Sequence, residues 1–106
     1  MITLLVDEAY AFDYLAILIV KKSTLMQTTV SNHISNQLPD MFNEIVLSQE
    51  FSNMIAANQA VFDCVERARY GDITAKELDD ANMQRHYAKI ALQKKFFNTN
   101  LTESKT

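Results

Sequence analysis

Between Phe51 and Ala68 the apolar positions alternate in spacings of three and four: Phe51, Met54, Val61, Val65 and Ala68, with Asn58 on the same line. Ile55 and Phe62 widen that stripe, which predicts an amphipathic helix over about 49–69. The seam runs for less than three heptads, too short for an independent coiled coil, and an Asn on it either bonds a neighbouring backbone group or sets register. A second long helix is predicted over 74–96, with Leu78, Ala81, Arg85, Ala88 and Leu92 on one stripe and Met83, Tyr87, Ile90 and Ala91 on another. Between the two, the lone glycine, Gly71, stands where a chain leaves a helix in the left-handed conformation. Thr74 and Glu77 then have capping-box spacing, and Ile73 and Leu78 occupy the staple positions around that cap.

The first half is less regular. From Glu8 onward Tyr10, Phe12, Tyr14, Leu15, Ile17, Leu18, Ile19 and Val20 cover nearly the whole helical circumference. A helix apolar all round is buried all round, so this segment, placed at 7–24, is expected to be a central helix or a subunit interface. A buried strand over Tyr14–Val20 is the competing reading. Ser23–Leu38 holds no Asp, Glu, Lys or Arg, yet Met26, Val30, Ile34 and Leu38 recur every fourth position. A helix over 25–37 with an uncharged polar face follows; that face is either plain solvated surface or a surface that hydrogen-bonds a partner. Pro39 punctuates the chain, a short helix is predicted over 40–47, and a break near Leu47–Gln49 precedes the Phe51 stripe.

The expected architecture is therefore an all-α bundle of four to five helices. It forms a single domain over 1–97, followed by a frayed polar tail over 98–106. Met1–Val6 reads as a short strand or an extended lead-in. With 106 residues the chain is one domain with an adequate but small core, and oligomerisation, most simply a dimer, is expected from the over-apolar first helix.

Charge alters the picture modestly. The formal net charge is −3, which disfavours a general attraction to nucleic acid or anionic membrane. Residues 1–63 carry two lysines against seven acids, and residues 64–106 carry eight basic groups against six acids. Asp7, Glu8 and Asp13 interrupt the apolar N-terminal run, so it fits neither a secretory signal nor a membrane span. One cysteine, Cys64, excludes an internal disulfide and suits a reducing, cytoplasmic setting.

Chemical signatures are sparse. His33 and His86 lack ligand spacing, and Asp79 and Asp80 diverge by about 100° on a helix, so no metal or cofactor is expected. Cys64 lies inside an apolar helix and reads as a small buried hydrophobe rather than a nucleophile. With one glycine there is no phosphate loop. No catalytic residue stands out, and an enzyme is not expected.

Asp13 and Arg85 each interrupt an apolar stretch, where a charge is costly unless paired. They are expected to pair with each other, or Asp13 with Arg67 or Arg69; the alternative is a polar pocket built from Asn82, Arg85 and His86. The leading functional expectation is a small cytoplasmic interaction module (an adaptor, regulator or assembly factor) contacting a second copy or another protein through Phe12, Asp13, Leu15 and Ile19. The second expectation is a nucleic-acid-binding helix using Arg85, Lys89, Lys94 and Lys95, against which the acids at Glu77, Asp79 and Asp80 weigh.

Overall fold

In the computed structural model, which describes residues 7–71, 73–99 and 101, five helices follow one another. They are α1 Glu8–Val20, α2 Thr24–Gln37, α3 Phe42–Val46, α4 Gln49–Ala68 and α5 Ala75–Phe97. No strand occurs among the described residues, so Tyr14–Val20 is helical; the segment 1–6 lies outside them. The all-α expectation holds, with all five helices present.

The largest displaced boundary is the end of α1, expected at residue 24 and found at Val20. Lys22 adopts φ 58°, in the left-handed region. Its N–H donates to the Ile19 carbonyl at 3.1 Å, while the Ser23 N–H reaches back to the Leu18 carbonyl at 3.1 Å. Those two bonds form a Schellman stop, a role usually given to glycine. A lysine at that position leaves no trace in the apolar pattern, so the periodicity ran past the true end. At three other ends the local signals are in place. Gly71 has φ +69°, the Ser48 hydroxyl accepts from the Phe51 N–H at 3.1 Å, and the Thr74 hydroxyl accepts from the Glu77 N–H at 3.1 Å. The Glu77 carboxylate binds the Arg67 guanidinium at 3.0 Å, tying the start of α5 to the end of α4.

Helices α1, α4 and α5 pack against one another; α2 lies on α1, and α3 on α4. Contacts between them give the directions. Ala9 meets Gln93 and Asp13 meets Arg85, so α5 runs antiparallel to α1. Asp13 meets Asn58, and Phe12 meets Phe51, so α4 runs parallel to α1. The core centres on Phe12, fully buried, whose ring stacks on Phe42 and meets Phe51 edge-on, each at 6.1 Å. Around it lie Ala9, Leu15, Ala16, Ile34, Ile45, Met54 and Leu92. At roughly 1.5–3 kcal/mol for each fully buried large side chain, this cluster is the main term holding α1 to α4 and α5.

Helix α1 is central, flanked by α2, α4 and α5, yet it is not buried all round: Tyr14 is exposed, and Ile17 and Val20 are half-buried. The uncharged helix α2 buries only Ile34, and two of its hydroxyls are turned on its own backbone, Thr28 to the Thr24 carbonyl and Thr29 to the Leu25 carbonyl. Part of the polar C-terminal stretch is engaged: Thr99 accepts from the Gln93 amide at 2.9 Å, and Leu101 packs against the core.

Candidate functional site

Three features meet around Arg85. The first is a buried polar cluster. Asp13 receives Arg85 Nε at 3.2 Å on each carboxylate oxygen and Arg85 Nη2 at 2.7 Å on Oδ2. Asn58 Nδ2 donates to Asp13 Oδ1 at 2.9 Å and to the Met54 carbonyl at 3.0 Å. Of the three expected partners for Asp13, Arg85 is the one found; Arg67 is drawn to Glu77 and Arg69 to Glu66. Asn58, on the seam of α4, bonds both its own backbone and Asp13, so its polar atoms serve the fold of a single chain.

The second feature is a groove of about 310 Å³ between the C-terminal half of α1 and the upper turns of α4. Ile17 and Val20 form one wall and Val61, Phe62 and Val65 the other, with Asn58 and Arg85 also lining it. Lys21, Glu66 and Arg69 complete the lining. Phe62 is 39% and Val65 46% exposed, although both continue the apolar stripe that is buried lower down at Phe51 and Met54. Measured from the Asp13–Asn58 contact at 1.5 Å per residue, α1 runs about 10 Å further and α4 about 15 Å, so α4 overhangs α1 by less than one turn. Ile17 and Val20 line the opposite wall without closing over Phe62 and Val65.

The third feature is a polar cavity of about 450 Å³ on one face of α5, lined by Asp79, Asn82, Arg85, His86 and Lys89. It gathers all three residues of the expected polar pocket, Asn82, Arg85 and His86. His86 Nδ1 is buried with no hydrogen-bond partner among the described residues. Lys89 is itself buried, with its ammonium 4.5 Å above the centre of the Tyr10 ring.

The remaining expected site residues are dispersed. Phe12, Asp13 and Leu15 are buried in the interior of one chain, and Ile19 is half-buried against the core. Of these four, only Ile19 retains appreciable surface. The four cations proposed for nucleic acid do not share a face: Lys94 sits about 180° around the helix from Arg85, and Arg85 is held by Asp13. Lys95 is bound to Glu50 at 3.1 Å, and that contact, first among its causes, holds the Glu50 carboxyl below its ordinary value. Cys64 is buried.

Among the described residues, no three of His, Cys, Asp and Glu stand together as a metal site, and no helix is long and apolar enough to cross a membrane. Ile17 and Val20 were legible as part of a central helix or subunit interface, and Val61, Phe62 and Val65 as a packing seam; no signal in the sequence sets them apart as a groove. Comparison with protein-family models, with curated proteins and with solved structures finds no match.

Proposed function

We propose that this chain is a small helical interaction module of the cytoplasm, an adaptor, regulator or assembly factor that binds another protein chain without catalytic turnover. The observation that carries this reading is the uncovered stripe Val61–Phe62–Val65 facing Ile17 and Val20 in a chain whose own core is filled below it. A clustered apolar surface rimmed by polar groups is the usual mark of a protein contact. The buried free cysteine suits a reducing compartment. A homodimer is the simplest form of the proposal, and a contact with a different protein is the other.

The test is the solution mass by light scattering, across dilution and at two salt concentrations, for the wild type and for the Phe62→Ser/Val65→Ser variant. Both positions are substantially exposed, so the variant is expected to keep its helicity. A dimer that the substitution dissociates supports self-association. A monomer that also captures no partner in any binding assay argues against the reading.

The cavity around His86 favours a second reading, a binder of a small polar ligand, because a buried ring nitrogen without a partner is a group that a ligand atom can satisfy. Its test is co-purification: a small molecule released on denaturation of wild type and lost from an Asn82→Ala/His86→Ala variant supports it.

A further inference from the structure

We infer that the α1–α4 groove receives an amphipathic helix that carries carboxylates beside its apolar stripe, supplied by a different protein. This rests on the interaction reading above and specifies its partner. The shape of the gap comes first. Beyond the Asp13–Asn58 contact, Ile17 and Val20 of α1 and Val61, Phe62 and Val65 of α4 form two apolar walls that do not close on each other, and Phe62 and Val65 stay open to the groove. A groove lying between two helices suits a third helix, which would seat apolar residues at spacings of three and four against Val61, Phe62 and Val65.

Charge identifies the flanks. Three cations line the groove, Lys21 where α1 ends, Arg69 where α4 ends and Arg85 within it, against two carboxylates, Glu66 in the lining and the Asp13 that holds Arg85. Glu66 lies 3.7 Å from Arg69. Asp13 occupies Nε and Nη2 of Arg85, and Nη1 has no hydrogen-bond partner among the described residues. The groove is thus locally cationic on a chain whose net charge is −3. A second copy of this chain docked groove to groove by two-fold symmetry would set the same cationic patch on both sides of the contact, and like charge facing like charge is penalised. An acidic partner meets the same cations favourably.

The test uses two synthetic helical peptides of about 14 residues, with leucine at heptad a and d positions and either glutamate or lysine at e and g. Binding to the full chain is read by fluorescence anisotropy at low and at raised salt. The glutamate peptide is expected to bind at least about tenfold tighter than the lysine peptide, with the difference shrinking in salt. Phe62→Ser/Val65→Ser is expected to weaken binding at least about tenfold, with the circular dichroism and melting curve retained. Lys21→Glu/Arg69→Glu is expected to reverse the preference between the two peptides.

Equal binding of both peptides, a preference for lysine, or no binding of either overturns the inference. A wild-type dimer dissociated by Phe62→Ser/Val65→Ser assigns the groove to a second copy; it overturns the acidic partner while leaving the interaction module standing. A monomer that binds neither peptide nor any other protein removes both.

Discussion

The Asp13–Arg85 pair offers an asymmetric test of what holds α1 to α5. The Asp13 side chain is 5% exposed and that of Arg85 29% exposed. Replacing Arg85 by Met keeps the stem but strips the carboxylate of three of its four hydrogen bonds, leaving only the 2.9 Å bond from Asn58. Breaking a buried pair this way costs about 3–5 kcal/mol, because a charge is left inside without compensation. Asp13→Asn is milder. Its amide oxygen still accepts from Asn58, and Arg85 reaches water through its exposed edge, so the loss is about 1–2 kcal/mol. A domain of this size has about 5–15 kcal/mol in all. With a urea slope of about 1–3 kcal/mol per molar, Arg85→Met moves the unfolding midpoint down by about 1–5 M. The double variant Asp13→Leu/Arg85→Met removes both charges and is expected to recover most of the loss, giving a large coupling in the cycle. Urea unfolding followed by far-ultraviolet circular dichroism measures all four proteins. An Arg85→Met loss below about 1 kcal/mol, or smaller than that of Asp13→Asn, refutes the argument from unequal burial.

Three further outcomes follow from local geometry. Lys22→Gly relieves a non-glycine residue at φ 58°, so it is expected to raise stability by about 1 kcal/mol in the same urea assay. Gln93→Leu removes the acceptor of the Ala9 N–H at 2.8 Å and the donor to Glu8 and Thr99, so hydrogen exchange at the Ala9 amide should accelerate and stability should fall by about 1–3 kcal/mol. The Glu50 carboxyl is held below its ordinary value of 4.5, chiefly by the hydrogen bond from Lys95. A carboxyl depressed in the folded state adds stability above its unfolded value, and that stability is lost as the pH falls through the folded value. The deficit of Lys95→Met relative to wild type is therefore expected at neutral pH and should vanish below the carboxylate range. Thermal melts across pH check it.

What the sequence made legible were features written locally. The Thr74 cap, the Gly71 exit and the 3–4 stripe of α4 each depend on a few neighbouring residues, and each appears where its spacing put it. The Asp13–Arg85 partnership was legible for a different reason: two charges in apolar stretches have few ways to be tolerated. The end of α1 was not legible, because Lys22 carries no left-handed signal of its own. The groove was hidden for another reason. An apolar stripe reports that a face is to be covered without reporting by what, and Val61, Phe62 and Val65 match Phe51 and Met54 in every sequence respect. Only the tertiary packing separates Phe51 and Met54, which are buried, from Phe62 and Val65, which stay open across from Ile17 and Val20.

Fold and groove are also mechanically joined. Arg85 lines the groove while its Nε and Nη2 are fixed on Asp13, which Asn58 holds in turn. Such bidentate anchoring removes much of the rotamer freedom that a free surface arginine would lose on binding. A carboxylate arriving at the groove would meet a guanidinium already positioned, so the ordering cost is met on folding rather than on association. Asp13→Asn loosens that anchor without filling the groove or altering its apolar walls. Its effect on an acidic helical peptide should therefore be a modest loss of affinity, about three- to tenfold, expressed mainly in faster dissociation. If Asp13→Asn leaves peptide affinity and dissociation rate unchanged while Arg69→Glu abolishes binding, the rim alone recognises the charge and the anchored Arg85 serves only the fold.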